Sequence, residues 1–265
     1  MERKSPRNNF RKEDGKKPRE STSWGKVASW YDDYLSNEDS YQEKVVLPNL
    51  MRIVSPKKGE LILDLACGQG YFTGKLAEVG ARIVGADISS ELISKAKNRL
   101  RDIEFSVAPA HKLPYQNASF DTVTCVLAIQ NIAELDQTFA EAKRVLKPHG
   151  RLVMVLNHPA FRVPQASDWT YDEKTKSQSR VVSKYLSEIK AKIDMHPGAT
   201  KKVFTVSFHR PLQVFVKLLS KNGFAITRLE EWISHKKSQD GPRAAAEDFA
   251  RKEIPLFMCV ESKLV

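Results

Sequence analysis

Three observations predict an α/β protein built on a doubly wound parallel sheet. Apolar runs without alternation recur from residue 61 onward, each separated from the next by a helical stretch or a turn. A glycine-rich loop joins the first run to the first of these helices, and acids stand where the first two runs end. Continuous apolar runs mark strands covered on both faces, and parallel neighbours need crossovers that helices supply. The predicted order is strand 61–65, helix 71–79, strand 82–86, helix 89–99, strand 103–107, strand 120–127, helix 134–147 and strand 151–156. Upstream, Trp24, Val27, Ala28, Tyr31, Tyr34 and Leu35 fall on one helical face, and a second helical stretch at 41–54 carries Pro48, where a kink is expected. After residue 157 the rhythm breaks for about 45 residues rich in Trp, Tyr, His and Lys. An insertion of that length in a compact domain is a binding lid or a disordered loop, and its aromatics favour a lid over 157–210. Helix 211–222 then stops at Gly223, a left-handed C-cap, and strands 224–232 and 256–261 flank helix 243–252.

The chain of 265 residues is long enough for one large α/β domain, placed here at 23–265, with 41% hydrophobic and 28% charged residues as in soluble globular proteins. No run of eighteen apolar residues exists and the N-terminus is charged, so no membrane span and no signal peptide are expected and the location reads as cytoplasmic. Cys67, Cys125 and Cys259 lie far apart in apolar segments without a CxxC pair, which argues for buried thiols rather than disulfides or a metal site. The net charge of +11 is uneven: residues 1–20 hold eight Lys/Arg against four acids and almost nothing apolar. Residues 1–22 are therefore expected to be a disordered basic tail, either simply solvated or an arm for nucleic acid. Deleting residues 1–20 is expected to leave the melting temperature unchanged, because the segment has nothing to bury; a lowered value in a thermal scan contradicts this.

The first loop carries the chemistry. Gly68 and Gly70 let backbone N–H groups approach a ligand that a Cβ would hold away. The dinucleotide fingerprint is incomplete: Thr73 stands where its third glycine would fall, and Gly74 comes one residue late. Asp64, just before the loop, would repel a pyrophosphate and suits a ligand bearing an ammonium group. Asp87 ends the second strand about twenty residues further on, where a carboxylate can accept both hydroxyls of a ribose. Each acid alone also reads as a cap or turn residue. Two at adjacent strand ends around a glycine loop fit a nucleoside that carries an amino acid.

The stretches LDLACGQG (63–70), VGADIS (84–89), HKLPYQNASFDTVTCVLAIQNI (111–132) and AKRVLKPHGRLVMV (142–155) resemble the successive motifs of class I S-adenosylmethionine-dependent methyltransferases, in particular the small-molecule group that includes the ubiquinone/menaquinone enzymes. FHRPLQVFVKLLSKNGFAITRLEEW (208–232) continues the likeness more loosely. The resemblance implies a Rossmann-like seven-stranded sheet, mostly parallel with one antiparallel strand, and S-adenosyl-L-methionine as cofactor with S-adenosyl-L-homocysteine as product. It places Asp64, Ala66, Cys67, Gly68 and Gly70 at the methionine end and Asp87 with Ile88 at ribose and adenine. Leu127, Ala128 and Gln130 would line the side where methionine and substrate meet, with Trp30 and Tyr31 folded over the sulfonium. Such families carry an Asp-Ala pair four residues before a Leu-Pro; here the pair is Pro109-Ala110 before Leu113-Pro114, so the acid is absent, while the Ala110 N–H could still meet the adenine ring and His111 could substitute.

Methyl transfer asks the protein mainly to align a nucleophile and to take up a proton. Candidates on the acceptor side are Gln130, Asn131, Asn157, His158 and His209, with His158, His209 and Asn157 assigned catalytic roles. Each histidine also reads as a hydrogen-bonded structural group. Arg162, Arg180 and Arg210 could neutralise an acidic substrate. Asn157-His158-Pro159 follows the fifth strand rather than the fourth, which separates it from the Asn-Pro-Pro-aromatic signature of amino-group methyltransferases. The leading expectation is a methyltransferase acting on a small molecule through an O, N or C nucleophile. The alternatives are an RNA methyltransferase that uses the basic tail and lid, and a cofactor-binding scaffold without catalysis.

Overall fold

The computed structural model describes residues 38–194 and 204–265; the predicted first helix with Tyr31, and the basic tail, lie outside the described residues. A π-helical turn, Gln42–Val46, runs into α1 (Leu47–Val54). The predicted disturbance at Pro48 takes this form: proline has no N–H to give the carbonyl four residues back, and the Leu47 N–H reaches five residues back to the Gln42 carbonyl. There follow β1 (Leu61–Leu65), α2 (Tyr71–Ala77), β2 (Arg82–Asp87), α3 (Ser90–Arg99), β3 (Glu104–Val107), β4 (Phe120–Val126), α4 (Leu135–Val145) and β5 (Leu146–Asn157). Four further strands, β6 (Ser167–Asp172), β7 (Ser177–Val182), β8 (Ile189–Asp194) and β9 (Phe204–His209), precede α5 (Leu212–Lys221), β10 (Phe224–Trp232), α6 (Ala244–Glu253) and β11 (Phe257–Leu264).

Seven strands make one sheet in the order β10-β11-β5-β4-β1-β2-β3, and β11 runs antiparallel to both of its neighbours. The unbroken apolar run of β1 is explained by its place at the middle of the sheet. Leu63 and Leu65 pack with Phe139 of α4 and Phe215 of α5 on one face, while Ile62 packs with Leu50 of α1 and Leu76 of α2 on the other. Burying each such side chain stabilises the fold by roughly 1.5–3 kcal/mol. Arg151, at the start of the central part of β5, ties α1 to the sheet: its guanidinium donates to the carbonyls of Ile53 and Val54 at the helix end and meets the carboxylates of Glu60 and Glu261, each at 3.3 Å.

Two departures from the sequence reading concern strands. β5 begins at Leu146, which pairs with Phe120 before a register shift resumes pairing at Arg151. The stretch 157–210 contains two antiparallel hairpins, β6–β7 and β8–β9. Their alternation is short and polar, as in ribbons that dock one face only. The first hairpin lies against α6, where the Arg243 guanidinium is 2.7 Å from Glu173 and 4.4 Å above the Tyr171 ring.

Gly85 in β2 faces a filled space, since a Cβ there would lie 2.5 Å from the Phe105 ring and 2.9 Å from Cys67 Sγ. Gly85→Ala is expected to lower stability by about 1–3 kcal/mol through overpacking. An unchanged midpoint in urea unfolding contradicts that reading.

Candidate functional site

The carboxyl ends of β1, β2 and β4 border two adjoining cavities, of about 300 and 130 Å³, which share Ala66, Asp87, Ile88, Asn131 and Ile132. Ligands of open α/β sheets bind at this rim. Where β1 leaves the sheet, Ala66 adopts a left-handed conformation with φ +57°, and Leu127 does the same after β4 with φ +54°. Such conformations cost a non-glycine residue about 1 kcal/mol or more and cluster at functional sites. The two glycines of the loop have different work. At Gly68 (φ +58°) a Cβ would meet no protein atom within 4 Å, so the loop is open to a ligand there. At Gly70 (φ +82°) it would approach Leu100 at 3.0 Å and Phe105 at 3.2 Å, so this glycine serves the packing of α2 on its neighbours.

Asp87 lies on the wall of both cavities. Its Oδ2 accepts the Gly68 N–H at 3.0 Å and its Oδ1 accepts the Ser89 N–H at 2.8 Å. Burial raises its pKa above the usual carboxylate value, and those two backbone donors pull it back.

Asp64 is placed differently from the expectation. It is 2% exposed and borders neither cavity. Its carboxylate accepts the Thr73 hydroxyl at 2.6 Å and the Thr124 hydroxyl at 3.3 Å. The cause is strand parity: residue 64 points to the same face as Ile62, under α2, and only residues beyond the strand end reach the rim. Burial pushes the Asp64 pKa up to about 6, with the two hydroxyls opposing and the nearby Asp87 charge adding to the rise.

The larger cavity is a slot. Ala108, Pro109, Ala110 and His111 form one wall; the turn after β4, from Asn131 to Glu134, and the second hairpin form the other. His111 Nδ1 is 3.8 Å from the Glu134 carboxylate. Lys190, Val206 and Phe208 of the hairpin complete the slot, with the Lys190 ammonium 5.9 Å from the centre of the Phe208 ring. These three residues were missed by sequence reasoning. Their signal was the period-two pattern of Phe204–His209, one side of which faces the rim.

Of the other candidates, Ala128 borders the smaller cavity, whereas Cys67 and Leu127 border neither. The Cys67 thiol is held well above its ordinary pKa by burial and by the Asp64 and Asp87 charges. Gln130, Asn157 and His209 come together around a third, small cavity of about 30 Å³. His209 Nε2 donates to the Tyr185 carbonyl at 2.7 Å. His158 is engaged elsewhere: Nδ1 accepts the Ala160 N–H at 3.2 Å, so Nε2 carries the proton and donates to Glu231 at 2.6 Å. Burial lowers its pKa and Glu231 partly restores it. With both nitrogens occupied and no place on the walls of these three cavities, it presents no free base to them.

The comparisons define the class. Residues 63–154 match the methyltransferase domain family. A solved S-adenosylmethionine-dependent methyltransferase from Mesorhizobium loti superposes with a TM-score of 0.66 at 26% identity, covering 82% of this chain and 96% of that one. Residues 63–154 thus carry a methyltransferase domain, on the fold of S-adenosylmethionine-dependent methyltransferases. Among its relatives, a demethylmenaquinone methyltransferase of Clavibacter sepedonicus is 36% identical over 140 residues, 49% of this chain and 57% of that protein. One of Thermotoga maritima is 36% identical over 120 residues, 44% and 50% of the respective chains. The similarity therefore spans about half the length of these curated relatives.

Proposed function

We propose that the protein transfers a methyl group from S-adenosylmethionine to a small-molecule acceptor. The observation that carries this reading is the pair of cavities at the strand tips, with Asp87 between them and the second hairpin as the opposite wall. The residues present fit the cofactor. Asp87 keeps lone pairs free beyond its two backbone donors and can accept ribose hydroxyls. Ile88, Ala108, Pro109 and Ala110 offer flat apolar walls to a purine, and the Glu134 carboxylate can accept its amino hydrogens where Pro109 has no acceptor side chain. Gly68 lets the loop backbone approach the amino-acid end. Asp64, buried beneath the loop, ties α2 through Thr73 to β4 through Thr124 and places a negative charge below the ammonium position. When bound, the cofactor supplies an electrophilic methyl on a sulfonium.

On the acceptor side the chain's part is to orient the substrate and exclude water, which Phe208 and Val206 do from the hairpin. The demethylmenaquinone methyltransferases among the relatives support a small, largely apolar acceptor, consistent with the apolar lining of the slot. The test is calorimetric titration with S-adenosylhomocysteine, followed by incubation with S-adenosylmethionine and a metabolite extract. Micromolar binding and extract-dependent release of S-adenosylhomocysteine are expected. Binding without release from any extract favours a scaffold, and absence of binding removes the reading altogether.

A further inference from the structure

The small cavity of about 30 Å³ is lined by Gln130, Asn157, Ser207, Phe208, His209 and Arg210 among others, and Phe208 also borders the 300 Å³ slot. Two of its polar groups are left over. Arg210 is 6% exposed. Its Nη2 donates to the carbonyls of Ile132 at 2.9 Å and Ala133 at 2.8 Å, but its Nη1 is buried and has no hydrogen-bond partner among the described residues. Gln130 spends its Nε2 on the Leu127 carbonyl at 2.8 Å, which fixes the amide's orientation and leaves Oε1 buried and without a partner among the described residues.

The charge of Arg210 is poorly balanced. Glu188 approaches Nε only to 3.8 Å, with a side chain 62% exposed. Burial lowers the Arg210 pKa, and Glu188 and Glu134 oppose that only in part. The face of Phe208, 5.1 Å away, adds a weak cation contact. A buried, unsatisfied donor on a cation and a buried, unsatisfied acceptor are both costly to the free protein. Both residues line the small cavity beside the slot, and a ligand there would satisfy them with an anionic oxygen for the guanidinium and a hydroxyl for the amide. The volume is that of about one or two waters, enough for such an oxygen pair and too small for a ring.

We propose that this cavity receives the polar edge of the methyl acceptor, an anionic oxygen beside a hydroxyl on an aromatic ring, with Arg210 Nη1 donating to the anion and Gln130 Oε1 accepting from the hydroxyl. The anion is a ring carboxylate or an ionised ring hydroxyl. The inference rests on the methyl-transfer reading only for the ring's position beside the slot; the anion preference is measurable by itself.

The test uses the full chain at pH 7.5 and two matched probe pairs, salicylate against salicylamide and 4-nitrocatechol against catechol. Titrations are made with S-adenosylhomocysteine present and repeated without it. At least one anion is expected to bind 10-fold or more tightly than its neutral partner, and the pair that shows it identifies carboxylate or ionised hydroxyl. Arg210→Met is expected to bring that ratio near one. Arg210→Lys, which keeps the charge and one carbonyl contact, is expected to reduce it at least threefold and serves if the methionine variant does not fold. Equal affinities within both pairs, no measurable binding of either anion, or a ratio unchanged in the variants overturns the proposal. Failure to bind S-adenosylhomocysteine instead strikes the methyl-transfer reading, and the cofactor-free titrations still decide the anion site.

Discussion

Asp87→Ala is expected to weaken S-adenosylhomocysteine binding by about 1.5–3 kcal/mol, or roughly 10- to 150-fold, the range for hydrogen bonds to a charged group. Each carboxylate oxygen of Asp87 already accepts one backbone N–H, from Gly68 and from Ser89. A carboxylate has about four acceptor positions, so two remain for a ligand. The substitution removes those and frees the Gly68 N–H, loosening the loop that the ligand must meet. Asp87→Asn keeps one acceptor oxygen, but its amide nitrogen would face a backbone donor whichever way it turns. It should therefore bind more weakly than the wild type while remaining folded. Calorimetry that finds the alanine variant's affinity unchanged takes Asp87 out of the site.

Asp64→Asn is expected to stabilise the ligand-free protein at neutral pH. The Asp64 pKa lies near 6 in the folded chain because burial disfavours the charge, against an ordinary value of 3.8. A carboxyl whose folded pKa is raised binds its proton more tightly in the native state, so its contribution is fully present below about pH 4. That contribution is lost as the pH rises through about 6. At about 1.4 kcal/mol per pH unit the loss reaches about 3 kcal/mol. Asparagine carries no charge and cannot lose it. The difference in unfolding free energy between variant and wild type should grow by up to about 3 kcal/mol between pH 4 and pH 7.5, a change that urea titrations at the two pH values resolve. A difference that does not vary with pH shows that Asp64 is ionised at no cost in the folded chain.

Much of the sheet was legible because its signal is physical and local. β1 carries an apolar run at 61–63, and its motif loop has glycine at two of its three positive-φ positions, Ala66 being the third; the run and the glycines are written in residues 61–70. The place of Asp87 on the cavity wall follows from its position at the end of β2, although its Oδ1 also makes the local contact to the Ser89 N–H that its reading as a turn residue allowed. Asp64 shows where this reasoning stops. Its position in the chain is that of a rim residue, but its parity on β1 turns it under α2, and parity matters only once the helix covering that face is known. The histidines show another limit. His158 and His209 stand next to the rim in sequence, yet the Nε2 of each is held by a distant partner, Glu231 and the Tyr185 carbonyl, 73 and 24 residues away. The hairpins were unread because a two-stranded ribbon that docks on one face needs only a weak alternation, and Phe208 gains its place on the slot through pairing with Lys190.

The position of β11 has a consequence for assembly. Sixth in spatial order from β3, between β5 and β10, it is the last strand in chain order. Until it arrives, β5 presents a bare row of amides and carbonyls, and β10 has no neighbour to join. A nascent copy waiting in that condition can accept the same segment from another molecule, giving an interlocked pair. Crowded synthesis should thus make strand exchange the characteristic error of this chain.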